Sequence, residues 1–267
     1  PGECTKLDGV TPGTGLNPTF AALPDGQLWL YYYQSTTFET RDNKADNYKV
    51  GLLRRAKLSG SVANIADPST ATFTTETFLG AAGTLVVGDV GLYNSFDTNV
   101  ADSATLTVVA FYNATLNQLQ YVYSADNTTW HLRTADDGWR KDANNHSFQV
   151  RLGADANVKL DNFNYVRIVY QDMSRAKLLA VSESCQPGSC GLVSSREALL
   201  EMSDAIDSSG NATEWGQSYG YYAKQVMLSG VTSVVGTYAI HLFPSPQATP
   251  LDAQRFEVTI SVGAKKR

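Results

Sequence analysis

The chain has 267 residues, 43% of them hydrophobic and 18% charged, and carries a formal net charge of -5. That composition belongs to a globular protein rather than a disordered one, and the acidic balance argues against tracking nucleic-acid phosphates, which needs a basic face. No apolar run approaches the roughly 20 residues of a membrane-spanning helix, and no linker splits the chain, so residues 1–267 are expected to form a single secreted all-β domain.

After a polar lead over residues 1–17, the turn Pro24-Asp25-Gly26 introduces a strand over residues 27–34. Trp29, Tyr31 and Tyr33 take one face of it and Leu28, Leu30 and Tyr32 the other. Two apolar faces suit a strand covered on both sides, as in sheets stacked face to face. Residues 35–47 are strongly polar and read as a loop, residues 48–58 resume strand character, and a short edge strand is expected over residues 72–78. Gly80 to Gly83 then break the chain.

Residues 105–130 read as a complete β-hairpin. Residues 105–112 are rich in β-branched and aromatic types, residues 113–117 are turn-forming, and residues 118–124 alternate, with Trp130 at the far end. A third strand is expected over residues 130–134 and a turn over residues 135–138. A second hairpin spans residues 165–171 and 176–182, placing Val169-Tyr170 on Phe111-Tyr112 at an offset of 58 residues. Tyr32-Tyr33 and residues 236–243 supply further equivalents. Unequal spacings describe divergent repeats and exclude a strict solenoid. Residues 194–206 offer the capping box Ser194 to Glu197 and apolar positions at 198, 199, 202, 205 and 206, which predicts a short helix. Strands over residues 218–228, 231–243 and 255–262 close the chain.

Cys185 and Cys190 flank Gln-Pro-Gly-Ser, a turn able to bring two Cβ atoms within bridging distance, and are expected to form a disulfide; two reduced thiols are the alternative. Cys4 is left for a covalent partner outside the chain or as a free thiol. Asn113, Asn127, Asn145 and Asn211 each begin an Asn-x-Ser/Thr sequon in an expected turn, and with the disulfide they point to a secreted, eukaryotic, extracellular glycoprotein. Pro1 to Cys4 reads as the start of a mature chain. Lys265, Lys266 and Arg267 match the dibasic sites cut by processing proteases, or form a solvated basic tail.

The pattern Thr107-Val-Val-Ala-Phe-Tyr112, Leu119-Gln-Tyr121, Trp130, repeated in Val166-Arg-Ile-Val-Tyr170 and Leu178-Leu179, resembles one blade of the fungal fucose-specific-lectin-like β-propellers and, more distantly, of the BNR/sialidase-type propellers. Ser124, Asp126 and Trp130 are similar to the Asp-box turn of the latter, without its glycine and one residue short. The resemblance implies a propeller-like fold of divergent blades, with a glycan or glycoprotein held between blades by an Arg, a Glu and aromatic rings. Arg167 matches the Arg position. The Glu position falls on Gln120 in one copy and Leu178 in the other, so the sugar-binding carboxylate is missing. The ligand-binding set so implied is Arg167, Tyr170, Gln120, Tyr112 and Trp130.

The three histidines, His131, His146 and His241, lack metal-ligand spacing, and there is no nucleophile elbow or phosphate loop, so no metal and no cofactor is expected. Asp97, Asp136, Asp137, Asp161, Asp172 and Glu183 stand at strand ends, where they form turns or converge as acids. The fold expected is all-β, β-propeller-like, with about four to six sheets and one short helix, and a jelly-roll sandwich is the alternative. The leading functional reading is a secreted, fungal, lectin-like carbohydrate-binding protein without catalysis, favoured by 14 tyrosines and 4 tryptophans suited to sugar stacking. The alternatives are a propeller glycoside hydrolase using carboxyl groups about 5 to 9.5 Å apart, and a secreted interaction protein or processed precursor fragment.

Overall fold

A computed structural model describes residues 14–23, 26–35, 38–41, 44–48, 51–59, 72–101, 104–150, 152–160, 164–172, 177–183, 187, 195–201, 224–227, 235–242 and 254–261. These residues are all-β and contain no helix. Sheet 1 holds β1 (Thr14–Ala22), β2 (Leu28–Ser35), β5 (Gly51–Ser59) and β6 (Thr72–Leu79) in that order, with a separate hairpin of β3 (Phe38–Arg41) and β4 (Lys44–Tyr48) between β2 and β5. Sheet 2 is the meander β7 (Val90–Ala101), β8 (Ala104–Asn113), β9 (Gln118–Ser124), β10 (His131–Asp136). The small hairpin of β11 (Trp139–Lys141) and β12 (Ser147–Gln149) leads to sheet 3, formed by β13 (Leu152–Leu160), β14 (Val166–Asp172), β15 (Lys177–Ser182) and β16 (Ser195–Glu201). β17 (Lys224–Met227), β18 (Val235–Leu242) and β19 (Gln254–Ser261) make a three-stranded sheet.

Every pairing within these sheets is antiparallel between neighbours in sequence, apart from the step over the β3–β4 hairpin. Such up-and-down sheets describe blades and not the crossed connections of a jelly roll. The first strand of each blade lies beside the next: Asn94 Nδ2 donates to Asn17 O at 2.9 Å from β7 to β1, and Val158 N to Ser95 Oγ at 3.0 Å from β13 to β7. The fold is propeller-like, and among the described residues its sheets do not close into a ring.

Sheet 2 is buried on both faces, because its strands alternate between two apolar layers. Leu106, Val108 and Ala110 of β8, with Leu119 and Tyr121 of β9, pack on Val158, Ile168 and Tyr170 of sheet 3. Val109, Phe111 and Val122 point the other way, onto Trp29, Tyr31 and Leu53 of sheet 1. β2 has the two-sided character its sequence suggests, with Leu30 and Tyr32 packing with Ala56 on its far face.

The repeat is clearest in the inner strands. Pairing of β1 with β2 shifts register between Thr14 and Leu16 and again between Leu16 and Thr19; β7 does so between Val90, Leu92 and Ser95, and β13 between Leu152, Ala154 and Asn157. These bulges coincide with Gly15-Leu-Asn-Pro-Thr-Phe20, Gly91-Leu-Tyr-Asn-Ser-Phe96 and Gly153-Ala-Asp-Ala-Asn-Val158. Asn17 and Tyr93 take the left-handed backbone that a bulge imposes, at φ of 50° and 53°.

Four expectations are corrected. The helix over residues 194–206 is the strand β16 across 195–201, because pairing with β15 outweighs the local capping signal. The polar stretch 35–47 contains the β3–β4 hairpin. Inner strands β7 and β13 stand where no full strand was expected, since bulges interrupt their alternation. Finally, the bulge registers set Tyr33 and Tyr112 beside Leu16 and Leu92, and Gln171 beside Ala154, so the second hairpin aligns one residue further on than 58. A one-residue slip moves every side chain to the opposite face.

Candidate functional site

The layer between sheets 2 and 3 combines its apolar core with buried charge. At the end of β10 the turn Asp136-Asp137-Gly138 lets Asp136 Oδ1 accept the Gly138 amide at 2.9 Å. Four residues beyond Asp136, on β11, Arg140 turns back and forks onto its carboxylate, with Nη1 3.0 Å from Oδ1 and Nη2 2.7 Å from Oδ2. From β14 the Tyr170 hydroxyl donates to the same Oδ2, and Asp172 Oδ2 stands 3.9 Å from Arg140 Nε. Burial raises the Asp136 carboxyl, but hydrogen bonds from Arg140, Tyr170 and the Gly138 amide outweigh it and hold the group below its usual range.

A second cluster surrounds Glu183, just past β15. The Tyr121 hydroxyl donates to Glu183 Oε1, Arg133 Nε lies 3.6 Å from that oxygen, and Arg167 Nη1 donates to the Glu183 backbone carbonyl at 2.7 Å. Here burial prevails, and Glu183 is pushed above its usual value despite Tyr121 and the two arginines. Between the inner strands, Asp97 of β7 accepts Lys159 Nζ at 3.1 Å and the Leu160 amide at 2.8 Å, both from β13. Burial raises Asp97 as well, against the pull of Lys159. Its side chain is 19% exposed, whereas those of Asp136, Asp172 and Glu183 are 0%, 1% and 1%.

Of the six carboxylates singled out by sequence, Asp97, Asp136, Asp172 and Glu183 lie in the layer between sheets 2 and 3 but in three separate clusters: Asp136 with Asp172 about Arg140, Glu183 with Tyr121 and Arg133, and Asp97 with Lys159. Asp137 is exposed, its Oδ1 accepting the Trp139 amide, and Asp161 lies outside the described residues. Arg140 and Lys159 were missed. The Asp-x-x-x-Arg spacing across a turn was a usable sign for Arg140, but nothing local marks Lys159.

The residues chosen as sugar ligands are placed otherwise. Arg167 and Tyr170 are buried in the interface just described, at 2% and 0% exposure. Gln120 is also buried, accepting from Asn113 Nδ2 at 2.9 Å and donating to Gln118 Oε1 at 3.0 Å, and Tyr112 donates its hydroxyl to Asn117 Oδ1. Trp130 packs edge-on against Phe78 of sheet 1. The Asp-box-like turn is structural: Asp126 Oδ1 accepts the Thr128 and Thr129 amides and the Ser124 hydroxyl.

Asn113 is fully buried with its amide nitrogen bonded to Gln120, which leaves no room for a glycan and corrects that assignment. Asn127 is half-buried and Asn145 exposed. Asn211, Cys4, Cys185, Cys190 and the Lys265 to Arg267 tail lie outside the described residues. Among the described residues, no group of three or more His, Cys, Asp and Glu is placed to hold a metal ion.

No protein family and no curated protein matches the sequence. By structure the chain is similar to a glycoside hydrolase family 43 arabinoxylan arabinofuranohydrolase from Bacillus subtilis, at 9% identity and a TM-score of 0.46. It is also similar to an α-L-arabinofuranosidase from Lactobacillus brevis (10%, 0.44) and a glycosyl hydrolase from Bacteroides ovatus (10%, 0.42). It covers 93% of itself but 53% of the first, and 94% of itself against 69% and 67% of the others, so it spans about half the length of the first and about two thirds of the rest. The reading as a lectin-like protein without catalysis is corrected: Arg167, Tyr170 and Gln120, the residues that were to hold the sugar, are engaged inside the fold instead of opening onto a ligand.

Proposed function

We propose that the chain is a carbohydrate-active enzyme, a glycoside hydrolase on a propeller-like scaffold, acting on a glycan outside the cell. The supporting observation is that the layer between sheets 2 and 3 sets carboxyl groups in contrasting surroundings: Asp97 is partly open and beside Lys159, whereas Asp136 is sealed under Arg140 and Tyr170. Burial raises Asp97 and Glu183, and hydrogen bonds lower Asp136. Glycoside hydrolysis by paired carboxyl groups needs one protonated and one ionised member. Of the four, Asp97 is the one open to solvent, so it takes the role of proton donor to the leaving oxygen. Lys159 Nζ, 3.1 Å away, then balances the charge left on Asp97. Asp136, held below its usual range by Arg140 and Tyr170, stands in the same layer on the opposite edge strand of sheet 2.

The test is release of p-nitrophenol from a panel of aryl glycosides covering furanosides and pyranosides, comparing the chain with its Asp97→Asn variant. Hydrolysis of at least one substrate is expected, reduced about 100-fold or more in the variant, as loss of a general acid does. No release above the variant's level from any substrate would overturn the reading.

A further inference from the structure

A cleft of about 420 Å³ opens between the outer strands of sheet 1 and the turn following β9, lined by Arg55, Glu76, Phe78, Leu85, Asn127 and Trp130 among others. Its volume is that of a small-molecule site. Arg55, on β5, is its built feature. The side chain is 8% exposed, and its Cζ lies 4.5 Å from the ring centre of Trp29, 4.7 Å from Phe78 and 5.7 Å from Trp130. Nε and Nη2 both reach Glu76 Oε1, at 2.6 and 2.5 Å.

The Arg55 guanidinium also lies beside the buried Tyr31 hydroxyl, but its Nη1 makes no hydrogen bond of good geometry among the described residues; neither do Trp130 Nε1 and Asn127 Oδ1. Three buried polar atoms around one cleft, two of them donors, leave a cost that a bound group can remove. Charge adds to this. Arg55 and Lys57 line the cleft against the single carboxylate of Glu76, whose side chain is 45% exposed.

We propose that this cleft binds an organic carboxylate carrying an apolar body. The carboxylate accepts from Arg55 Nη1 and Trp130 Nε1, the body lies along Phe78 and the half-exposed Leu85, and a donor on the ligand meets Asn127 Oδ1. Glu76 is the internal competitor, holding the other edge of the guanidinium when the cleft is empty. The site lies between sheets 1 and 2, apart from the carboxyl layer between sheets 2 and 3, and does not rest on the hydrolase reading. A free aromatic acid and an acidic sugar share the required chemistry.

Isothermal titration of the full chain with phenylacetate, D-glucuronate and benzyl alcohol, repeated on Glu76→Gln, tests this. Binding of either acid is expected, at least about tenfold tighter than the neutral alcohol, in keeping with a charge-assisted pair. The tighter acid then identifies the source. Glu76→Gln, which removes the competing charge on an exposed side chain, is expected to tighten binding severalfold. Absence of binding by both acids, equal binding of benzyl alcohol, or weaker acid binding in Glu76→Gln would each overturn the proposal.

Discussion

Asp136 and Glu183 are both sealed from solvent, yet they settle on opposite sides of their usual values because the donors around them differ. Asp136 receives a fork from Arg140, a hydroxyl and an amide, whereas Glu183 has one hydroxyl and a more distant guanidinium. A carboxyl whose folded value is depressed contributes stability at neutral pH that disappears as pH falls through that depressed value. Asp136→Asn is therefore expected to cost about 3 to 5 kcal/mol at pH 7, the range for leaving a buried partner unpaired, and less at acid pH, as read by urea denaturation. Tyr170→Phe removes one hydrogen bond to a charged group and should cost about 1.5 to 3 kcal/mol. Acidic residues at strand ends were visible in the sequence, which is why the four acids of the layer between sheets 2 and 3 could be named, though not their separate partners. Burial of Arg167 and Tyr170 was not visible, because alternation along a strand separates two faces without saying what covers either.

At the level of elements, the recurring unit is the bulged inner strand. Gly91, at φ of 104°, brings β7 so close to β5 that a Cβ there would stand 2.6 Å from Leu53 Cβ and 2.9 Å from Leu53 Cα. Gly91→Ala is expected to destabilise the chain by about 2 to 3 kcal/mol, from strain and overlap together, measured by chemical denaturation. The outer strands carry a different lesson. β16 has the capping box and apolar spacing of a helix but bonds along β15, from Ser195 opposite Ser182 to Glu201 opposite Lys177. As the last strand of its sheet among the described residues it is paired on one edge, so hydrogen exchange should show alternate amides protected over 195–201. Protection of successive amides would instead mark a helix. Strands β2, β8, β9, β14 and β15 were legible because each is a short hydrophobic run or alternation with no bulge to interrupt it and turn-forming residues at its end. β7 and β13 were not, because each bulge reverses the period on which such reading depends.

At the scale of the molecule, sheets 1, 2 and 3 pack face to face, so sheet 2 buries apolar side chains on both sides and its charged groups find their partners inside the protein. That arrangement places Asp97 where the inner strands of sheets 2 and 3 meet, partly open to solvent and beside Lys159. The two-sided character of β2 and the repeated hairpins were enough to foresee stacked β-sheets. The chemistry was not foreseeable, since its members come from β7, β10, β11, β13, β14 and the end of β15, and only the packing of two sheets unites them. The most direct measurement is the pH dependence of kcat/KM for aryl glycoside hydrolysis by the chain and by Asp97→Asn. With Asp97 as the acid, the rate falls as pH rises through a value above the usual aspartate range, and the variant loses both the activity and that limb. A rate unchanged across that range, or a variant as active as the parent chain, would contradict it.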